Sequence, residues 1–501
     1  MIGQKVIKII STFSREELRK FGSFLNSPYF NSSKRLIKLF NVLKLYYPAF
    51  NNSLLTKERI YKKVFPGKTF NDGTLRSLMI HLENKARLFV SVECSLADHS
   101  TDPLLKYFSD KNLAELFKLE YIKSRDDLKK RRKTVKMDFY REFKIEAKRY
   151  NFILLNEKMT KRSIAGEMQI SLELSFVSLI NFFLMELINI SIHSERDNMQ
   201  VKENDDSAFI ARTLKAFNLP KIYNEIKSKN PYDNILKIYI AIYEMYLNSD
   251  KPEQYYTYRS LIKKNINDLN PDELSFHYSN LISYSLKMIF SKNNFEIRKE
   301  FQIELMILYK ELLKNGYYKS EKCDFVTPIL FRNILLSSLK LKEYKWIYSL
   351  IQHSEKYLHK KDVENVKKLS FAYYYFEMKD FRKTLVMLRD FKGSSFIFIY
   401  DIKNLTVKAY YELGYFDEAL SYINSYKVFL KRNLLVTEEN KIRYTNFLNY
   451  TEKIINSFNK NKDELGFLKV QIAQSDITSF KDWLIEKIDQ KLLSPTSILN
   501  K

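Results

Sequence analysis

Glycine and proline are scarce: nine glycines and ten prolines stand in 501 residues, under a third of the roughly 12% that the two usually contribute. Sandwiches and barrels depend on both residues, so a turn-rich β architecture is excluded, and a glycine-loop nucleotide enzyme with it. Cysteine is scarcer. Cys94 and Cys323, the only two, lie far apart in no CxxC spacing, which removes a disulfide framework and a zinc knuckle and fits a reducing, cytoplasmic setting. The early apolar run from Val6 to Ile10 is broken by Lys8 and falls short of the roughly 7–15 residues of a secretory signal. GxGxxG, HExxH and GxSxG are all missing. Phe65-Pro66-Gly67-Lys68-Thr69 ends like a phosphate-binding loop, but Lys62 stands where that loop needs its first glycine, and a turn between helices accounts for it. The six histidines show no ligand spacing: Cys94 and His99 share a loop, and His353 and His359 fall on different helix faces. No enzymatic activity, cofactor or metal is expected.

What remains is material for helices. Hydrophobic residues make up 45% and charged residues 29%, enough to fold, and the chain is too long for one core. The pattern predicts an all-α protein in three parts. A compact N-terminal helical module covers 1–95, a long-helix connecting region 96–230, and an α-solenoid of antiparallel helix pairs 231–501, closed by a C-terminal capping helix. Ser14 with Glu17 forms a capping box between the staple residues Phe13 and Leu18; Leu55 and Ile60 bracket Thr56, and Phe70 and Leu75 bracket Asn71. Pro28 ends one helix, with Tyr29 and Phe30 packed under the turn, and Asn31, Ser32 or Ser33 caps the next. The last head helix buries Leu75, Leu78, Met79, Leu82, Ala86 and Phe89. Beyond it, SVECSLADHSTDP reads as irregular.

Charge of one sign dominates: the net formal charge is +25, and residues 1–100 hold 17 basic and 7 acidic side chains. Residues 123–149 carry 12 basic and 5 acidic side chains. They read as one amphipathic helix with a seam of Val135, Phe139, Phe143, Ala147, Tyr150 and Leu154. Lys129, Lys130, Arg131, Arg132 and Lys133 are the candidate nucleic-acid-binding residues, because cations in a row neutralise phosphates. Lysine outnumbers arginine 63 to 21, which favours a solvated helix face over base reading.

Residues 174–192 are apolar with the single charge Glu186, close to the roughly 20 residues that span a bilayer. Ser175, Ser178, Asn181, Glu186 and Asn189 draw a polar stripe, which predicts a buried soluble helix with one wet edge rather than a membrane span. Residues 196–207 read as a polar loop.

Three resemblances add to this reading. FGSFLNSPYFN, LIKLFNVLKLYYP and LTKERIYKKVFPGKTFNDGTLRSLMIHLENK resemble the head of a group of uncharacterised bacterial helical proteins, which implies no activity. LTKERIYKKVFPGKTFNDGTLRSLMIHLENKARLF is similar to the helical part of winged-helix DNA-binding domains that precede helical repeats in some regulators, although no β-hairpin wing follows. Ala409-Tyr410-Tyr411-Glu412-Leu413-Gly414-Tyr415-Phe416-Asp417-Glu418-Ala419 resembles the centre of a tetratricopeptide repeat. The form recurs at Ala372 to Leu385 and, more faintly, at Leu341 to Ile347, a period of 34–37 residues. In the second copy Lys379 replaces the turn glycine, and Lys431 stands where a closing proline is usual.

The expected function is that of a non-enzymatic helical-repeat scaffold that binds a protein or peptide along its inner helices. The alternative is a nucleic-acid-binding regulator that uses the basic head, with the repeats as sensor or dimerisation arm.

Overall fold

The computed structural model describes residues 4–50, 55–97, 102–130, 136–156, 162–198, 209, 212–214, 216–248, 251–291, 294–320, 323–389, 396–433, 437–457 and 462–493. Every regular element among them is a helix; Ser320 and Cys323 form one isolated bridge. The chain divides into two compact units, residues 1–133 with 137–182, and 134–136 with 183–501.

The first unit opens with α1 (Gln4–Ser11), α2 (Arg15–Asn26), α3 (Lys34–Lys44), α4 (Lys57–Val64) and α5 (Asp72–Ala97). Their starts follow local capping chemistry. Ser14 Oγ accepts from the Glu17 amide while Glu17 accepts from the Ser14 amide, at 3.1 and 2.6 Å. Thr56 and Asn71 accept from the amides of Arg59 and Thr74. Phe13, Leu18, Ile60 and Leu75 are buried, but Phe70 is not the staple partner expected: it is 43% exposed and lays its ring on Tyr61. All six predicted residues of α5 are buried, and Phe89 meets the rings of Phe13, Phe21 and Phe24 within 5.6 Å. Each such aromatic contributes roughly 1.5–3 kcal/mol on burial.

Extended backbone at Ser27, imposed by Pro28, stops α2. Asn31 pins this turn, donating to the Leu25 carbonyl and accepting from the Ser33 amide, so α3 starts at Ser33 without a side-chain cap. Phe30 stacks on Phe24 at 4.3 Å, as expected of packing under the turn, whereas Tyr29 is 88% exposed. The stretch after Phe89 is also more regular than its composition suggests, since α5 continues through Cys94 to Ala97; His99 lies outside the described residues.

The unit continues with α6 (Asp102–Asp110), α7 (Ala114–Lys130), α8 (Lys136–Asn156) and the first part of α9 (Arg162–Asn198). Two helices, not one, thus occupy 123–149, and Val135 lies outside the described residues. The inward face of α8 also departs from the expected seam. Asp138, Phe139, Glu142, Ile145, Glu146, Phe152 and Ile153 are buried, and Leu154 is 43% exposed. The polar stripe of α9 is likewise inverted. Ser171, Ser175, Ser178 and Asn181 are buried, while Ile170, Leu172, Phe176 and Leu179 face outward. The cause is α8, whose carboxylates need donors opposite: Ser178 donates to Glu142 at 2.9 Å. Residues 164–194 are long and apolar enough to cross a membrane by length and composition, with 44% of the most apolar stretch buried in protein. Arg196 to Asn198 end α9, and 199–207 lie outside the described residues.

The second unit includes α10 (Leu219–Ile226) and then successive helix pairs, in which each helix packs on its sequence neighbour. These are α11 (Asp233–Leu247) with α12 (Pro252–Lys264), α13 (Pro271–Ser291) with α14 (Phe295–Asn315), and α15 (Pro328–Lys340) with α16 (Tyr344–Gln352). Next come α17 (Lys360–Glu377) with α18 (Phe381–Arg389), α19 (Phe396–Glu412) with α20 (Phe416–Arg432), then α21 (Glu438–Ile455), α22 (Lys462–Gln474) and α23 (Lys481–Leu493). Pro252, Pro271 and Pro328 each occupy a first helical position, where the missing N–H costs nothing. The fold is therefore an all-α array of packed helix pairs. On the terminal α23, Trp483, Leu484 and Ile488 are buried against α21 and α22.

One turn recurs. Lys342, Lys379 and Gly414 each follow the first helix of a pair in left-handed backbone, with φ of 58°, 60° and 74°. Each donates to the carbonyl three residues back, and the next residue donates to the carbonyl five before it, the double bond of a Schellman motif. Lysine at 379 thus keeps the glycine geometry, which the sequence comparison had marked as a departure. Asn112, between α6 and α7, has φ 50° and the same two bonds. The connecting region therefore contains this turn too, although its sequence shows no period.

Candidate interaction face of the helix pairs

The first helices of the pairs lie beside one another and present a shared row of polar side chains. Arg332 of α15 reaches past α17 and forks through Nε and Nη2 onto both oxygens of Asp401 on α19. Burial opposes the charge of Arg332, but the Asp401 fork outweighs it and holds the guanidinium above its ordinary value. Tyr373 of α17 sits between them, its hydroxyl pushed up by burial and then by the Asp401 charge, so it stays neutral. Tyr444 of α21 extends the row and stacks on Tyr400 at 5.4 Å. Lys403 of α19 lies over the rings of Tyr422, Tyr426 and Phe429, nearest Phe429 at 4.6 Å. The fork is largely enclosed, with the Arg332 side chain 26% and the Asp401 side chain 8% exposed, and a bidentate ion pair of this kind is strong and geometrically specific. None of these residues was singled out from the sequence. The signal existed, because Arg332 and Asp401 are 69 residues apart, two steps of the 34–37-residue period.

Upstream, tyrosines clamp the pairs together through buried carboxylates and amides. Tyr239 donates to Glu273 at 2.7 Å and Tyr246 to Asn280 at 3.1 Å, both spanning 34 residues from α11 to α13. Tyr255 donates to Glu304, which also pairs with Arg259, and Tyr278 donates to Glu311. Burial first and the neighbouring carboxylate second raise the Tyr239 and Tyr255 hydroxyls, which therefore remain donors. His277, with no exposed surface, shares a 2.7 Å bond between Nδ1 and the Tyr258 hydroxyl. Glu273, Asn280 and Glu304 are buried, so this lattice reads as structural.

At the far end, Trp483 Nε1 donates to Glu412 at 2.7 Å and Lys487 pairs with the same carboxylate at 2.8 Å. Lys408 lies over Phe376, Phe480 and Trp483 at 4.5, 5.2 and 5.6 Å. Burial lowers its amine to about 8, against the pull of Glu377 and Glu412.

The predicted phosphate-binding run is only partly described. Lys129 and Lys130 are exposed on the last turn of α7, whereas Arg131, Arg132 and Lys133 lie outside the described residues. Behind that turn the cations point inward. Arg125 pairs with Glu146 at 2.7 Å, Arg149 donates to the Tyr121 hydroxyl at 2.7 Å and pairs with Glu167, and Tyr121 donates to Glu146. Among the described residues no group of three His, Cys, Asp or Glu is placed to hold a metal. No protein-family model matches the chain, and neither a curated protein nor a solved structure does.

Proposed function

We propose that this protein is a non-enzymatic scaffold of tetratricopeptide-like repeats, working in the cytoplasm, which binds a protein or peptide along the first helices of its pairs. The observation that carries the reading is the convergence of Arg332, Tyr373 and Asp401 from three successive first helices on one spot. Arg332 is the more exposed partner of this convergence, its side chain 26% accessible, in an array whose stacked pairs offer an extended surface to a bound chain. The recurrent left-handed turn supports the repeat assignment, because three successive pairs reverse the chain through the same backbone geometry, at Lys342, Lys379 and Gly414. Partner capture from native lysate, with and without nuclease, tests the reading on wild type and Arg332→Ala. Expected is a defined protein that survives nuclease and moderate salt and falls at least about 10-fold with Arg332→Ala, about 1.4 kcal/mol. Captured material that vanishes with nuclease, or is indifferent to Arg332 in a folded variant, rejects it.

A further inference from the structure

The head carries an unbalanced patch of charge. Between residues 31 and 71 stand nine Lys or Arg and a single acid, Glu58. Four cations of the head are matched: Lys20 pairs with Glu93, Lys57 at the start of α4 and Arg76 with Asp72, and Arg87 with Glu83. Past Lys57 the cations around α4 are not matched in this way among the described residues. Ile60, Tyr61 and Val64 are buried on its inner side, which leaves Arg59, Lys62 and Lys63 exposed on the outer one. The following turn, Phe65-Pro66-Gly67-Lys68, has proline at its second position and glycine at its third with φ 74°, closed by the Lys68 amide on the Phe65 carbonyl. That is a type II turn, and it holds Lys68 out beside the helix. From α3, Arg35 lies over the Phe65 ring at 5.4 Å, at the same end of α4. Among the described residues, none of these five side chains has an acidic partner.

We infer that Arg35, Arg59, Lys62, Lys63 and Lys68 form a phosphate-binding surface for double-stranded nucleic acid. Four like charges on α4 and its turn, with a fifth on α3 beside them, repel one another; a polyanion neutralises them, and release of its counterions supplies the driving force. A lipid surface fits less well, because the outer face of α4 holds no apolar side chain to insert between headgroups. An acidic protein fits less well too, since protein interfaces exclude charge from their centre. With lysine outnumbering arginine 63 to 21 in the chain, binding is to the phosphate backbone and indifferent to sequence. The surface belongs to the first compact unit and the first helices of the pairs to the second, and neither proposal presupposes the other.

The test is anisotropy of a labelled, mixed-sequence DNA duplex titrated with the full chain across a salt series. Each phosphate neutralised adds about −0.9 to the slope of log affinity against log salt, so the wild type is expected near −4 to −5. Arg59→Gln/Lys62→Gln/Lys63→Gln/Lys68→Gln is expected to flatten the slope by about 3 to 4 and to weaken binding at about 0.1 M salt by at least 100-fold. A control with equal charge loss, Lys340→Gln/Lys345→Gln/Lys360→Gln/Lys361→Gln, removes exposed lysines of the array and is expected to bind as wild type. Circular dichroism and urea unfolding establish that both variants fold. Binding by the α4 variant equal to wild type or to the control overturns the proposal. So does loss confined to Lys129→Gln/Lys130→Gln, or equal α4-dependent binding to anionic vesicles or polyglutamate.

Discussion

Glu146 has no exposed surface and faces Arg125 and the Tyr121 hydroxyl. Removing one partner of such a buried pair leaves the other charge uncompensated. Glu146→Ala is therefore expected to cost about 3–5 kcal/mol in urea unfolding at neutral pH. Burial raises the Glu146 carboxyl, against the pull of Arg125. The folded state then keeps this proton to higher pH than the unfolded chain, so its contribution to stability is present at acid pH and fades as pH rises through the raised value. Glu146→Gln does not titrate, and it should gain on the wild type as pH climbs from about 4.3 toward neutrality; a flat difference would sink the argument. Lys408 is the converse case. Its amine, lowered to about 8 from 10.5, makes folding less favourable below about 8, and the penalty is relieved as pH rises toward 10.5. The three rings around it offset part of this. Lys408→Met is expected to be more stable than wild type by about 1–2 kcal/mol at neutral pH, with the gap closing as pH rises.

The recurrent turn sets the energetics of the elements. Left-handed backbone costs an L-residue about 1–2 kcal/mol and glycine almost nothing. Lys379→Gly and Lys342→Gly should each stabilise the chain by about 1 kcal/mol, and Gly414→Lys should destabilise it by as much. A Cβ at Gly414 would meet nothing within 4 Å, so thermal unfolding of these variants isolates the backbone contribution. A Gly414→Lys variant as stable as wild type would show that the turn tolerates either residue. Caps and turns were legible in sequence because their partners stand three to five residues apart: Ser14 and Glu17 need only each other. The inward face of α9 was not legible. Its polar stripe turned inward because Glu142 on α8 required a donor, and hydropathy alone sends serines and asparagines to water.

For the whole molecule, the helix array depends on its closed end. Trp483 of α23 is 8% exposed, packs on Tyr411 and Phe447, and donates to Glu412. Trp483→Ala is expected to cost about 3–5 kcal/mol. Hydrogen exchange should accelerate in 396–455 and not in the head, because coupling in such arrays runs through neighbouring pairs. Uniform acceleration across the chain would contradict that locality. Charge acts at the same scale: the head holds unpaired cations on α3 and α4, whereas the row on α15, α17 and α19 centres on an ion pair, so salt should act on the two surfaces differently.

The sequence by itself determined the all-helical fold, the capped starts of the head and the 34–37-residue period. Each rests on periodicity or on partners a few residues away. Only the tertiary structure decided which faces turn inward on α8 and α9, which cations are matched by carboxylates, and that Arg332 meets Asp401 across α17. Those outcomes depend on side chains brought together from distant positions, where desolvation makes an unpaired polar group costly and so selects its partner.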